Sequence, residues 1–162
     1  MLSRLLTPII RAPIIRAPII RIPIIRILTQ IRYEHYYTRN HEFIDFIDKT
    51  NVRIGVSDYA REQLGGIVYV EVSELDTEFE KGTEIVVLES VKTAGSVNAP
   101  ADGIITETNT ELIEDSEKIS GKHELDTWLI EFKLLKDIDK NELLSKEDYD
   151  KFTKKEIINQ CL

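Results

Sequence analysis

Residues 89–95 read Glu-Ser-Val-Lys-Thr-Ala-Gly and set one lysine, Lys92, between two β-forming runs. A neutral lysine amine is a nucleophile, and an acyl group placed on it stays as an amide. An enzyme that modifies one lysine among many needs it exposed and needs it fixed by a rigid frame. Upstream, "EIVVLES" (84–90) has the apolar content of a core strand; downstream, Gly95 loosens the turn. Gly103 in "NAPADG" marks a second turn, eleven residues after Lys92. This pattern predicts that Lys92 stands on the crown of a β-hairpin. A solvated surface charge is the plain alternative.

Other chemistry finds little support. The histidines, His35, His41 and His123, are scattered, and Cys161 is the one cysteine. An internal disulfide is impossible and no cysteine cluster can hold zinc. There is no nucleophile elbow and no phosphate-binding glycine loop. Ser90 or Cys161 with distant histidines makes no triad. The chain reads as a non-enzyme.

Charge is uneven. No Asp or Glu precedes Glu34, while six of the 21 basic residues do; the rest holds 15 basic and 29 acidic side chains, a balance of −14. Such a surface repels phosphate backbones, which excludes nucleic acid as a partner.

Residues 8–27 repeat Pro-Ile-Ile-Arg with a period of five. A spanning helix needs about 20 apolar residues without frequent charge, so no membrane span is read here. An Arg-rich, acid-free N-terminus reads as a mitochondrial transit segment. We assign it residues 1–34 and leave residues 35–162 as the folded domain. The prolines oppose one continuous amphipathic helix. An attached low-complexity arm that touches anionic lipid is the alternative.

The frame around Lys92 reads as mainly β. Residues 43–47 and 52–56 form a hairpin across "DKTN". Ser57 caps a short helix that Gly65 and Gly66 end through the left-handed conformation. Strands follow over 67–72, 83–90 and 104–109, with polar 73–82 turning at Gly82. Residues 109–127 form a long polar loop with room for a helical turn. Residues 128–135 form the last strand, with Trp128, Ile130 and Phe132 on one face. Residues 141–158 read as a C-terminal helix whose apolar set is Leu143, Leu144, Tyr149 and Phe152, with Ser145 and Asp148 as a capping-box pair. Short strands between glycine turns predict a β-sandwich or flattened barrel with a short internal helix and a C-terminal helix.

The Lys92 segment resembles the attachment hairpin of lipoyl and biotinyl carrier domains. Biotin carriers place methionine on both sides of the lysine; here the neighbours are Val91 and Thr93. Lipoyl domains of 2-oxo acid dehydrogenases usually have aspartate before it. "ESVK" resembles instead the H-protein family of the glycine cleavage system, with Thr93 for the usual alanine. "YTRNHEF" (37–43), "IGVSDYAREQLGGIVYVEV" (54–72), "NAPADGII", "WLIEFKL" and "ELLSKEDYDKF" resemble further segments of that family, and together they span nearly all of residues 37–152. Departures are Phe43 for tryptophan, Ser96 for aspartate, Thr127 for glycine and a long loop without Asn-Pro.

The resemblance implies a lipoyl-domain-like hybrid fold and lipoic acid joined as an amide to Lys92. It implies a carrier that shuttles the aminomethyl group of glycine. The partners would be a glycine decarboxylase (P protein), an aminomethyltransferase (T protein) and dihydrolipoyl dehydrogenase (L protein), in the mitochondrial matrix. It also implies a lipoylating enzyme, for which Glu89 is a recognition candidate; an ordinary cross-strand charge is the alternative. Glu42, and less directly His41, are the candidates for holding the cargo amine in a cleft, against a satisfied strand-end pair. A carrier module of another complex, lipoyl or biotinyl, a relay of lipoate to other enzymes, and a purely structural sandwich remain the competing readings.

Overall fold

Alternation of apolar residues between Glu42 and Val56 builds the first hairpin. In the computed structural model, which describes residues 34–160, β2 (Glu42–Phe46) and β3 (Asn51–Val56) pair antiparallel, with Ile44 opposite Ile54 and both buried. The turn is tied by Asp48, whose carboxylate accepts the N–H groups of Thr50 (2.7 Å) and Asn51 (2.8 Å). β1 (Glu34–Tyr37) lies outside β2. The leader expected over residues 1–34 falls, apart from Glu34, outside the described residues, as does Cys161.

On the other side of β3 come β9 (Trp128–Leu134), β8 (Gly103–Thr108) and β5 (Glu78–Phe79), all antiparallel. This completes a six-stranded sheet of order β1-β2-β3-β9-β8-β5. A three-stranded sheet, β4 (Ile67–Val72), β6 (Glu84–Ser90) and β7 (Ala94–Asn98), has β6 at its centre. One apolar core, including Ile54, Val70, Ile85, Leu88, Val97, Ile105, Ile130 and Phe132, unites both sheets. Each such side chain contributes roughly 1.5–3 kcal/mol on burial. The mainly-β, lipoyl-domain-like architecture is the one expected.

Helix α1 (Asp58–Leu64) starts at Ser57, whose hydroxyl accepts the Ala60 N–H, and ends at Gly65 with φ 80° and ψ −143°. Gly65 alone of the two glycines takes positive φ. The 109–127 loop is more ordered than its polarity suggests. It holds α2 (Thr110–Glu114) and two 3-10 turns, Ser116–Gly121 and Glu124–Asp126. Leu112 and Ile119 are fully buried and anchor it.

Residues 73–82, expected as a polar stretch turning at Gly82, do turn there and also hold β5 at the edge of β8. Two expectations are corrected. Trp128 does not share the fully buried face of Ile130 and Phe132; the register shifts between Ile54 and Gly55, and Trp128 meets the Arg53 guanidinium at 4.7 Å. The C-terminal helix, α3 (Lys146–Gln160), starts later than residue 141, because Leu144 is held in a bridge with Tyr37 through two backbone bonds (2.8 and 2.9 Å). Ser145 does accept the Asp148 N–H (3.2 Å), but Asp148 takes the Ser145 hydroxyl in return (3.1 Å). A capping box uses the backbone N–H at that point.

Candidate functional site

Strands β6 and β7 form a hairpin whose crown is Val91, Lys92 and Thr93, all exposed. Ser90 knits this crown together. Its N–H and its hydroxyl both donate to the Thr93 carbonyl (2.8 Å each), and the hydroxyl oxygen accepts from the Lys92 and Thr93 N–H groups (3.2 and 3.0 Å). A serine hydroxyl bonding to nearby backbone fixes a turn that would otherwise sample several conformations. The residue types give Ser90 this capacity, but its use was not legible from spacing.

The crown is braced from outside the hairpin. Val91 N–H donates to the Gly66 carbonyl (3.2 Å), at the end of α1. Leu64 packs under Gly95, where an added Cβ would lie 3.1 Å from Leu64 Cδ2. The Lys92 chain passes Gly65, where a Cβ would lie 3.5 Å from both Cε and Nζ. Helix α1 therefore acts as a strut that sets where the amine stands. Buried Arg61 fixes the strut in turn, donating to the carbonyls of Ile119 (2.5 Å) and Lys122 (2.9 Å) and pairing with Asp58.

At the base of the same hairpin lies a cleft of about 460 Å³. β7 separates it from the crown by roughly 15 Å, at about 3.3 Å per residue. Ala99, Pro100, Ile138 and Leu143 supply apolar wall, and Glu42 reaches it from β2. Glu42 is only 2% exposed. Its carboxylate accepts the Asn98 N–H (3.1 Å), the Asn98 side-chain amide (3.3 Å) and the Thr38 hydroxyl. Burial raises its pKa above the usual carboxylate range, and the Asn98 bonds partly oppose that. Across the mouth, Lys81 pairs with Glu142 at 2.5 Å.

The two other candidates sit elsewhere. His41 does not line the cleft. It takes a positive φ of 68°, turning the chain just before Glu42, and its ring faces α3: Nδ1 lies 2.9 Å from the Tyr149 hydroxyl and Nε2 3.2 Å from Glu156. Burial lowers its pKa, with Glu156 opposing. Glu89 is exposed on β6, between Tyr69 of β4 and Ala94 of β7, with no charge directly opposite on either strand.

A second polar cluster supports the whole arrangement. His35 Nδ1 meets Asp45 at 2.9 Å, and its Nε2 lies 3.4 Å from buried Glu124. Glu124 also accepts the Tyr37 hydroxyl and the Asp58 N–H (2.6 Å) at the start of α1. Burial opposes the His35 charge, but the two carboxylates outweigh it and raise the pKa to about 9.

The glycine cleavage H-protein model matches residues 35–156. This chain belongs to the glycine cleavage H-protein family. It is 36% identical over 118 residues to a probable mitochondrial glycine cleavage system H protein 1 of Dictyostelium discoideum, covering 73% of this chain and 81% of the relative. It is 38% identical over 116 residues to the H protein of Halothermothrix orenii, covering 72% and 90%. The solved H-protein structure from Mycobacterium marinum superposes with a TM-score of 0.65 at 31% identity, covering 74% of this chain and 95% of that one.

Three residues at which the sequence departs from the resemblance drawn above have the following surroundings. Phe43 is buried, its ring 5.4 Å from that of His35, and a Cβ on Gly55 would lie 2.6 Å from it. Thr127 is buried and donates its hydroxyl to the Glu124 carbonyl (2.6 Å). Ser96 is half-buried on β7 opposite Val87. Among the described residues no helix is long and apolar enough to cross a membrane.

Proposed function

We propose that this chain is the lipoyl carrier of the glycine cleavage system, with lipoic acid attached to Lys92 and Glu42 as the anchor for the amine of its cargo. The observation that carries the reading is the hairpin itself: an exposed lysine on a braced crown, and a half-apolar cleft with one buried carboxylate at the base. The donor set fits the group. An amide at Nζ needs only an accessible amine, and a cationic amine needs an anion that water does not already satisfy.

When attached, the lipoyl group supplies a dithiolane that accepts the aminomethyl fragment and electrons. The chain's own residues bind, orient and exclude water. Ser90 and α1 fix the tether point, so one arm can visit several enzymes at high effective concentration. Ile138 and Leu143, in the wall of the cleft at the base of the hairpin, would exclude water from labile cargo held there. Glu42, oriented by Asn98, pairs with the amine. Its burial makes that pairing stronger than it would be in water. The P, T and L enzymes, and an enzyme that attaches lipoate, are the partners this reading requires. The carrier performs no catalysis of its own.

The arginine-repeat leader over residues 1–34 directs the chain to the mitochondrial matrix and is removed there. The mitochondrial relative supports that address. Intact and peptide mass spectrometry on protein from its native cells tests both statements. We expect a lipoyl increment on Lys92 of a chain lacking the repeat. A biotinyl increment assigns the chain to a carboxylase. Unmodified Lys92, with lipoylating enzymes present, sinks the carrier reading. Retention of the repeat on matrix protein sinks the transit assignment.

A further inference from the structure

We propose that Val68 and Tyr69, with Val91 on the crown, form the docking patch for the enzyme that acylates Lys92, and that this enzyme presents an apolar face with a basic rim. The proposal rests on the carrier reading of Lys92. Strand β4 carries a bulge next to the crown: Ile67 pairs with Ser90 and Tyr69 with Glu89, leaving Val68 as the extra residue. A bulge re-aims side chains, and here two consecutive apolar residues stand exposed. Val68 is 54% exposed, Tyr69 50% and Val91 81%, while their neighbours Ile67 and Val70 are at most 3%. A lone exposed apolar residue is ordinary, but three clustered beside one modifiable lysine mark a contact surface.

Two arguments commit the patch to the acylating enzyme. The first is reach. The neutral ε-amine must come within about 3–3.5 Å of the acyl carbon of an activated donor, an acyl adenylate. The C–N bond forms, the bond from the acyl carbon to the phosphate oxygen breaks, the nucleotide leaves, and one amine proton passes to solvent. That enzyme must therefore cover the ground beside Lys92, whereas an enzyme acting on a loaded arm meets the distal end. The second is charge. Glu89 lies directly opposite Tyr69, and Glu71 follows two residues along β4; strands β4, β6 and β7 carry no Lys or Arg, and Glu62 is exposed on α1 close in sequence to the Gly65–Gly66 brace. An apolar centre with an acidic surround selects a basic-rimmed partner.

The test uses the full unloaded chain with a purified lipoate-attaching ligase, lipoate and ATP. Gain of the lipoyl mass on Lys92 is followed over time in the parent, in a Val68→Ser/Tyr69→Ser double variant and in Val91→Ser, after matching thermal melts. Lipoylated forms, prepared by long incubation, are then assayed for reoxidation by dihydrolipoyl dehydrogenase. We expect attachment in the double variant to fall at least tenfold more than reoxidation does, Val91→Ser to fall several-fold in the same sense, and parent attachment to slow as salt rises. Attachment within twofold of the parent in both variants overturns the proposal. Equal losses in attachment and reoxidation also overturn it, since the patch then serves partners at large. A parent that gains no lipoyl mass overturns the carrier reading itself, and the proposal with it.

Discussion

The ring of Phe132 lies where a side chain on Gly103 would begin: an added Cβ would sit 2.7 Å from Phe132 Cζ and would also overlap Phe132 Cε1 and the Lys133 carbonyl. Gly103 is paired with Phe79 and Leu134 in the large sheet, so its neighbours cannot yield without opening β8 from β9 or β5. Gly103→Ala should cost on the order of 3 kcal/mol, as overpacking against backbone does. For a domain of this size that lowers the melting temperature by on the order of 10 °C. Circular dichroism melts of both forms check it; a shift under 2 °C means that the sheet relaxes there.

Glu42 is expected to matter little for folding and much for cargo. Its charge is held in a buried place that raises its pKa, so the charged form lowers stability relative to a neutral side chain. Glu42→Gln keeps the shape and removes that penalty, and its melting temperature should match or exceed the parent's at pH 8. Hydrolytic loss of the aminomethyl cargo from lipoylated protein should be at least tenfold faster in the variant. Equal loss rates would remove Glu42 from the anchor role.

Stability should fall in the alkaline range because of His35. Its folded pKa, about 9, lies above the unfolded value of 6.5. A raised histidine contributes stability that is fully present below pH 6.5 and is lost as pH climbs through about 9. The contribution is on the order of 2 kcal/mol, since the ring is mostly buried between its two carboxylates. Urea unfolding at pH 6 and pH 10 measures the difference. In His35→Gln that difference should shrink by at least half; an unchanged pH dependence assigns it to other groups.

Much of this was legible because the code is local. The alternation in "IVYVEV" and "EIVVLES" marks strands β4 and β6, and a Ser followed by a helical run followed by two glycines marks α1. Lys92 was visible as the centre of a hairpin for the same reason. What escaped depends on contacts far along the chain. Glu124 looks like one more acid in a polar loop, yet it joins His35, Tyr37 and the start of α1. Glu42 could be named a candidate, but the cleft around it is assembled from four separate segments. Leu144 has a helical neighbourhood in sequence and is claimed by Tyr37 instead. The β4 bulge left no signature in the sequence, since Val68 is as apolar as the residues on either side of it.

The last prediction concerns how α1 and α3 are locked together. Ser57 Oγ accepts the Ala60 N–H (3.2 Å) and lies 2.6 Å from the Tyr149 hydroxyl, which in turn lies 2.9 Å from His41 Nδ1. One buried hydroxyl thus serves as both a helix cap and an interhelical partner. Tyr149 is buried and stacked flat on Tyr37, with centroids 4.1 Å apart and planes 5° apart, which orients its hydroxyl toward Ser57. Ser57→Ala should therefore cost about 2 kcal/mol, the upper end for an N-cap, and Tyr149→Phe about 1–2 kcal/mol for a buried hydrogen bond. Because each variant strands the other's partner, the double variant should lose about 1 kcal/mol less than the two single losses combined. Chemical denaturation of the four proteins measures this coupling. Strict additivity would show that the two hydroxyls act independently and that α3 is held without a contribution from the Ser57–Tyr149 bond.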